Sequence, residues 1–420
     1  AILKTSAADS LSESAVTAYV AEMASLDRYN EAIDSVPESL RRENHRTYVS
    51  APFFNTLAVM NRSLVVQTEQ YSSMTASAVT SKNLDIFNID GISDFIIREK
   101  KKSRITNLLS FPAQMADFKP TVVQAAGILN VYADLYKNDV SVAVLLEPVL
   151  AKCLDSIAQA CSLENDAVKI NNNGAALSVR QTIEVGNALA KYGDVSSKNE
   201  YAQTGYLIMN KALAAGLNVE TAASVYHILA ESNFYYPHTQ ILGYYGNTAV
   251  WAWTCARNIS YRIDAENIVN IDIDFPQVLT NHIIFNGVPT FHGKIEIQGQ
   301  MFRTDPRFET YNSSGYVYQT STQSLLLKSR HKSSKETVRL FSRFEEMFSG
   351  AAESQKISGV IMELYASGTG NMRSTDYSLK YLLVKGKKCG CSFYCTSQQE
   401  RRLDFSEYAT GAQVWILTEF

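Results

Sequence analysis

Apolar and polar positions follow a helical period through most of the chain up to about residue 260. Ser10-Leu11-Ser12-Glu13 places a hydroxyl before a carboxylate at capping-box spacing, and Val16, Tyr19, Val20, Met23 and Leu26 follow on one face, which predicts a helix from about 11 to 29. Ser197 and Glu200 repeat the device ahead of Tyr206, Leu207, Met209 and Leu213, with Gly216 as terminator, and Asn218 caps a helix bearing Val225, Tyr226 and Leu229. Further helices are expected over Thr121–Tyr136, Pro148–Cys161 and Ala175–Tyr192. No fixed period recurs, so a solenoid is not expected.

After about residue 265 the pattern changes. Ile271-Asp272-Ile273-Asp274-Phe275 and Lys294-Ile295-Glu296-Ile297-Gln298 alternate with period two, punctuated by Pro276, Gly287, Pro289, Gly293 and Gly299, as half-buried strands do. A helix is expected to return at Ser333-Ser334-Lys335-Glu336, with Val338, Phe341, Phe344 and Phe348 on one face, and strand-like text follows at Tyr377–Val384, Ser392–Thr396 and Val414–Phe420. The expected fold is mainly α: a helical domain over 1–262, a smaller mixed α/β or β-rich region over 263–332, and a C-terminal helix with strands over 333–420.

Composition narrows the partners. The 420 residues carry 39 Lys plus Arg against 42 Asp plus Glu, a net charge of -3, so no basic surplus exists to coat a single-stranded nucleic acid phosphate by phosphate. Charged residues make up only 19% while Tyr reaches 23, which leaves a neutral polar surface suited to packing against neighbours. No apolar stretch approaches the roughly 20 residues of a membrane span. The opening Ala1-Ile2-Leu3-Lys4 has no basic leader, so no signal peptide is expected, and the spacing of the six cysteines reads as reduced intracellular thiols.

The familiar phosphate, dinucleotide, zinc-protease and serine-nucleophile motifs are absent. Cys389, Cys391 and Cys395 crowd together without a fourth ligand for structural zinc, so no metal is expected. The segment Asn233 to Asn247 gathers His238, Tyr235, Tyr236, Tyr244 and Tyr245, followed by Trp251 and Trp253. It resembles a stretch of the chondroitin and hyaluronate lyase family, in which a helical toroid precedes β-sandwich domains, although the spacing of His238 from the tyrosines departs from that family's. The resemblance implies His238 as base, Tyr244 or Tyr245 as acid and Asn172 as the amide that neutralises a uronate. The competing expectation is an aromatic turn packed between two helices, with His238 structural.

Basic runs occur at Lys100, Lys101, Lys102 and Arg104, at Lys328 to Lys335, and at Lys385 to Lys388; the glycosylation-type sequons at Asn61, Asn258 and Asn312 carry little weight in so Asn-rich a chain. The segment Gly127-Ile128-Leu129-Asn130-Val131-Tyr132-Ala133-Asp134-Leu135-Tyr136-Lys137-Asn138-Asp139, followed by Glu147-Pro148-Val149-Leu150, resembles the capsid proteins of small fungal double-stranded RNA viruses, the partitiviruses. That resemblance implies a non-enzymatic coat protein of the virion and host cytoplasm, with no catalytic residues and no cofactor. Quasi-symmetric dimers would form an icosahedral shell from the helical domain, with region 263–332 protruding or lying between subunits, around genomic double-stranded RNA and a viral polymerase. A shell that confines a stiff duplex by closure need not be basic. Lys100, Lys101, Lys102 and Arg104, too self-repelling to lack an anionic partner, are then expected to face the RNA, and Tyr311, Tyr316 and Tyr318 to make inter-subunit contacts.

Overall fold

The structure, a computed structural model, describes residues 12–36, 56–164, 167–263, 268–288 and 294–341, with strand segments at 377–379, 384–385, 390–395, 400–404 and 413–414. The chain forms two compact units, 1–262 with 270–340 and 263–269 with 341–420.

In the first unit the helices are α1 (Glu13–Ser25), α2 (Tyr29–Ser35), α3 (Leu57–Ser81), α4 (Ile92–Glu99), α5 (Ser103–Ser110), α6 (Val122–Asn138), α7 (Val140–Ala143), α8 (Glu147–Ala160), α9 (Val179–Ser196), α10 (Asn199–Ala214) and α11 (Val219–Leu229). Local chemistry sets their ends. Ser12 accepts from the Ala15 amide to start α1, Thr121 and Gln124 close a reciprocal capping box on α6, and Asn218 caps α11. Phe95 and Ile96 of α4, Leu108 and Leu109 of α5 and Ile128 of α6 are fully buried in the core that these helices share.

Two helix boundaries differ from expectation. Ser197 does not cap α10: it sits in the left-handed region at φ 57° and closes α9, and Lys198 opens α10 with no side-chain cap. The helix expected from Ala175 starts at Val179 under a Ser178–Gln181 capping box. Before it, β1 (Cys161–Glu164), β2 (Ala167–Asn172) and β3 (Ala175–Ala176) form a small sheet. Its last turn is Asn173-Gly174, with φ 51° and 89°, the pair of left-handed residues that a two-residue hairpin requires.

Helices α9 and α10 approach closely because small residues line the seam. A Cβ on Gly205 would lie 2.3 Å from the Gly186 carbonyl oxygen and 2.5 Å from the Ala190 nitrogen, and one on Gly193 2.3 Å from the Ala202 nitrogen. That seam turns the opposite face of α9, with Glu184, Asn187 and Lys191, toward α4, α6 and α11.

The strands that follow are β4 (His238–Tyr245), β5 (Thr248–Thr254), β6 (Asn258–Ile263), β7 (Val269–Asp274), β8 (Thr280–Asn286), β9 (Lys294–Ile297), β10 (Gln300–Phe302), β11 (Gly315–Gln319), β12 (Ser324–Arg330) and β13 (Lys335–Phe341). They build two five-stranded sheets, ordered β11-β12-β8-β5-β4 and β10-β9-β13-β7-β6. The ribbon β7–β8 lies against β13 and β12, so pairs nest across both sheets as in double-sheet rolls. The second sheet is two-faced: Ile271, Ile273, Ile295, Ile297, Val338 and Leu340 are buried, whereas Asp272, Glu296, Thr337 and Arg339 alternate with them toward solvent. In the first sheet β8 is buried on both faces. Its Ile284 is in register with Leu326 and Trp253 on the face that meets the helices, where Arg98 of α4 stacks on Trp251. Phe285, Ile283, Leu325 and Leu327 point the other way, into the interior between the sheets. The order of layers is helices, inner sheet, outer sheet.

These strands correct three expectations. The two large sheets begin at His238, not near residue 263, so His238 to Tyr245 is an edge strand and not a turn between helices. Residues 335–341 are strand β13 and not a helix, because Glu336, Val338 and Leu340 alternate inward with period two; Phe344 and Phe348 lie outside the described residues. Region 263–332 is no appendage: β8 and β12 are central strands of a sheet completed by β4 and β5. A helical N-terminal part is followed by a β-rich part.

In the second unit, β14 (Tyr377–Leu379), β16 (Gly390–Cys395) and β17 (Glu400–Asp404) form a three-stranded antiparallel sheet, and β15 (Val384–Lys385) pairs with β18 (Gln413–Val414). Cys389 and the side chains of Cys391 and Cys395 lie outside the described residues, as do Lys387 and Lys388 of the last basic run. Among the described residues no helix is long and apolar enough to cross a membrane, and no group of His, Cys, Asp and Glu is arranged to hold a metal.

Candidate binding cleft and interaction surfaces

Three of the four cations expected to face RNA pair with carboxylates of the chain. Lys100 bonds Asp139 at 2.8 Å, Lys102 bonds Glu99 at 2.6 Å, and Arg104 also pairs with Glu99. Lys101 donates to the Gly246 carbonyl at 3.2 Å and lies 4.5 Å from the centroid of the Tyr244 ring. Hydrogen bonds from Lys100 and Ser141 hold the Asp139 carboxyl below its ordinary range. Glu99 and Asp139 thus take up three of the four cations, Lys101 sits on a carbonyl and a ring, and the run ties the α4–α5 junction to β4.

The tyrosines do not share a surface either. Tyr316 is 3% exposed within its own chain, and the Tyr318 hydroxyl donates to the Val288 carbonyl at 2.8 Å; only Tyr311 is exposed. An inter-subunit role for Tyr316 is corrected on that ground.

His238 and Tyr244 lie along one strand, on the order of 20 Å apart at the rise of an extended chain, so they do not meet at one substrate carbon. His238 is committed at both nitrogens: Nδ1 donates to the Tyr236 carbonyl, and Nε2 accepts from the Gln240 amide, each at 2.9 Å. Burial lowers its pKa, which keeps the imidazole neutral. The Tyr244 hydroxyl donates to the Ile97 carbonyl at 2.7 Å, and burial pushes its phenol up to about 12. Asn172 is in the β2–β3 hairpin, next to its turn.

Sequence reasoning missed a polar concavity among the described residues. A cleft of about 240 Å³ opens between the N-terminus of α4 and the facing sides of α6, α9 and α11, lined by Ser93, Asp94, Asn130, Asp134, Glu184 and Lys191 among others. Its groups form two networks. Lys191 bridges Asp134 at 2.9 Å and Glu231 at 3.4 Å, while Asn130 donates to Asp134 and to Ser93; Arg180 holds Asp90 in a forked contact and reaches Glu184. Burial works to lower the Lys191 pKa, but Asp134 and Glu231 outweigh it and leave the ammonium above its ordinary value.

No protein-family model matches this chain, and neither does any curated protein. The chemistry of the cleft therefore rests on its own residues.

Asp94 is the unusual one. It is exposed to the cleft, yet desolvation raises its carboxyl pKa, opposed by the Thr239 hydroxyl at 2.9 Å, Arg98 and Lys191, and reinforced by Asp134. A raised folded-state pKa means the ionised carboxyl costs stability at neutral pH. That cost disappears as the pH falls below the ordinary value of 3.8, where the folded and unfolded carboxyls are both protonated. Asp94→Asn, which still accepts from Thr239, is expected to raise the melting temperature at pH 7 and to leave it unchanged at pH 3. Calorimetry at the two pH values checks this; a lower melting temperature at pH 7 would contradict it.

A second concavity is apolar. Ala18, Tyr19, Met23 and Leu26 of α1 and its C-terminal end face Val219, Ala222, Ala223 and Tyr226 of α11 across a solvent-open groove of about 450 Å³, and Leu26 is 55% exposed. Tyr206 and Leu207 stand exposed on α10.

Proposed function

We propose that the chain is a structural capsid protein that self-assembles, as quasi-symmetric dimers, into an icosahedral shell around double-stranded RNA and its polymerase. The observation that carries this reading is the apolar groove between α1 and α11. Among the described residues Leu26 stands 55% exposed at the groove, and exposed apolar surface of this kind marks contact between protein chains. The nested double-sheet roll supports the reading at the level of architecture, since such rolls recur in viral coats, among other proteins. A basic run partly paired with Glu99 and Asp139, on a chain of net charge -3, fits a wall that encloses its cargo without binding each phosphate.

Electron microscopy of negatively stained protein tests the proposal. The expected result is closed particles for the wild type and none for Leu26→Glu with Ala222→Glu, while circular dichroism remains that of the folded chain. Particles undisturbed by both charges would remove the groove from the account.

One observation favours a second reading. Asp94, open to the cleft beside Asp134 and Lys191, fits a site that binds a small polar ligand through hydrogen bonds. The test is calorimetric titration with neutral sugars and polyols, compared with Asp94→Asn.

A further inference from the structure

Inside the roll, three polar side chains have been buried without partners. Asn281 of β8 and Ser329 of β12 are directly opposite each other, 1% and 0% exposed. His331 continues the same ladder one step past β12, its amide donating to the Leu279 carbonyl, so it shares their inward face; it is 1% exposed, with its ring 5.3 Å from that of Phe275. Among the described residues, neither atom of the Asn281 amide, nor the Ser329 hydroxyl, nor His331 Nε2 has a hydrogen-bond partner.

The geometry sets the protonation pattern. His331 Nδ1 faces the Ser333 carbonyl at 3.2 Å and donates to it, so Nε2 carries the lone pair and needs a donor. The Glu336 carboxylate does not supply one: it accepts from the amides of Lys332 and Ser333 and from Gln298, and lies 3.9 Å from the other ring nitrogen. The remaining demands are complementary, with an acceptor at Asn281 Oδ1, a donor at Nδ2, and both at Ser329. A strand pair that buries such groups among apolar residues without satisfying them is strongly disfavoured.

We propose that Asn281, Ser329 and His331 form an internal hydration site that holds at least two ordered water molecules between the sheets. Water matches the demand because each molecule both donates and accepts, and two are counted because the His331 rung lies two residues, about 7 Å, along the strand from the rung of Asn281 and Ser329. The waters bridge β8 to the turn after β12 at the end of the roll, where the ladder leaves the sheet.

Ser329→Ala tests this, since it removes one oxygen and little volume. If the site is hydrated, the variant loses a water partner and its melting temperature falls by a few degrees. If the site is dry, deleting an orphaned hydroxyl leaves the melting temperature unchanged or raises it, and the proposal is wrong. Oxygen-17 relaxation dispersion of the solvent gives a second readout: the wild type should show at least two long-lived internal waters more than the Ser329→Ala, Asn281→Ala double variant, and equal numbers would overturn the assignment. Stoichiometric metal in the purified protein, removed by chelator with loss of stability, would also overturn it.

Discussion

Gly205→Val is expected to lower the melting temperature of the helical part by on the order of 10 °C, a loss of about 3 kcal/mol or more. The backbone of α9 leaves no room: even the first carbon of the new side chain would lie 2.3 Å from the Gly186 carbonyl oxygen and 2.5 Å from the Ala190 nitrogen. Neither obstacle is a side chain that can turn away, so the helices must separate along their length. Separation uncovers Ala202, Ile208 and Met209 on one helix and Ile183 and Ala190 on the other. The gain of about 1 kcal/mol from replacing a helical glycine does not offset this, and valine recovers only part of that gain because its branched side chain is stiff in a helix. It also displaces Glu184 and Lys191, so the cleft should lose its shape in the same variant. Thermal unfolding followed by circular dichroism checks the prediction, and an unchanged melting temperature would mean that the seam is looser than its glycines require.

The second large effect is expected at the joint between the helices and the inner sheet. Arg98 is 6% exposed, and its guanidinium carbon lies 4.2 Å from the centroid of the Trp251 ring, with Nε donating to the Asp94 carbonyl. Burial pushes the Arg98 pKa down, yet a guanidinium stays charged wherever the protein is folded, so the ring face is a large part of what makes the buried cation tolerable. Trp251→Leu removes that face and leaves a cavity, at a cost of about 3 kcal/mol. Replacing the cation as well should recover part of the loss: Arg98→Met with Trp251→Leu is expected to be more stable than the sum of the single changes. Strict additivity would show that the stacking contributes nothing.

What the sequence disclosed follows from which faces of each element meet solvent. Helices α6 and α11 were legible because each has one buried face and a cap, α8 because it has one buried face and a proline in its first turn, and β7 and β9 because each has one polar face. Strands β5 and β8 gave no period-two signal since both of their faces are buried, which makes their text read like the interior of a helix. At β13 the capping-box spacing of Ser333 and Glu336 misled: Glu336 does accept from the Ser333 amide, but in a turn that passes from one sheet to the other. Asn173-Gly174 was a hairpin signal present in the sequence and passed over. The cleft was illegible for a different reason. Asn130 and Asp134 on α6, and Glu184, Asn187 and Lys191 on α9, stand at the spacing of an ordinary solvated helix face, and only packing brings those faces together.

Self-assembly is the central claim, and sedimentation velocity of the purified chain at micromolar concentration and native ionic strength tests it most directly. The account predicts a discrete, fast boundary many times the mass of one subunit, which collapses to a slow boundary when Leu26 and Ala222 are replaced by glutamate. A single boundary at the monomer mass for the wild type would contradict it and leave the cleft around Asp94 as the feature to explain.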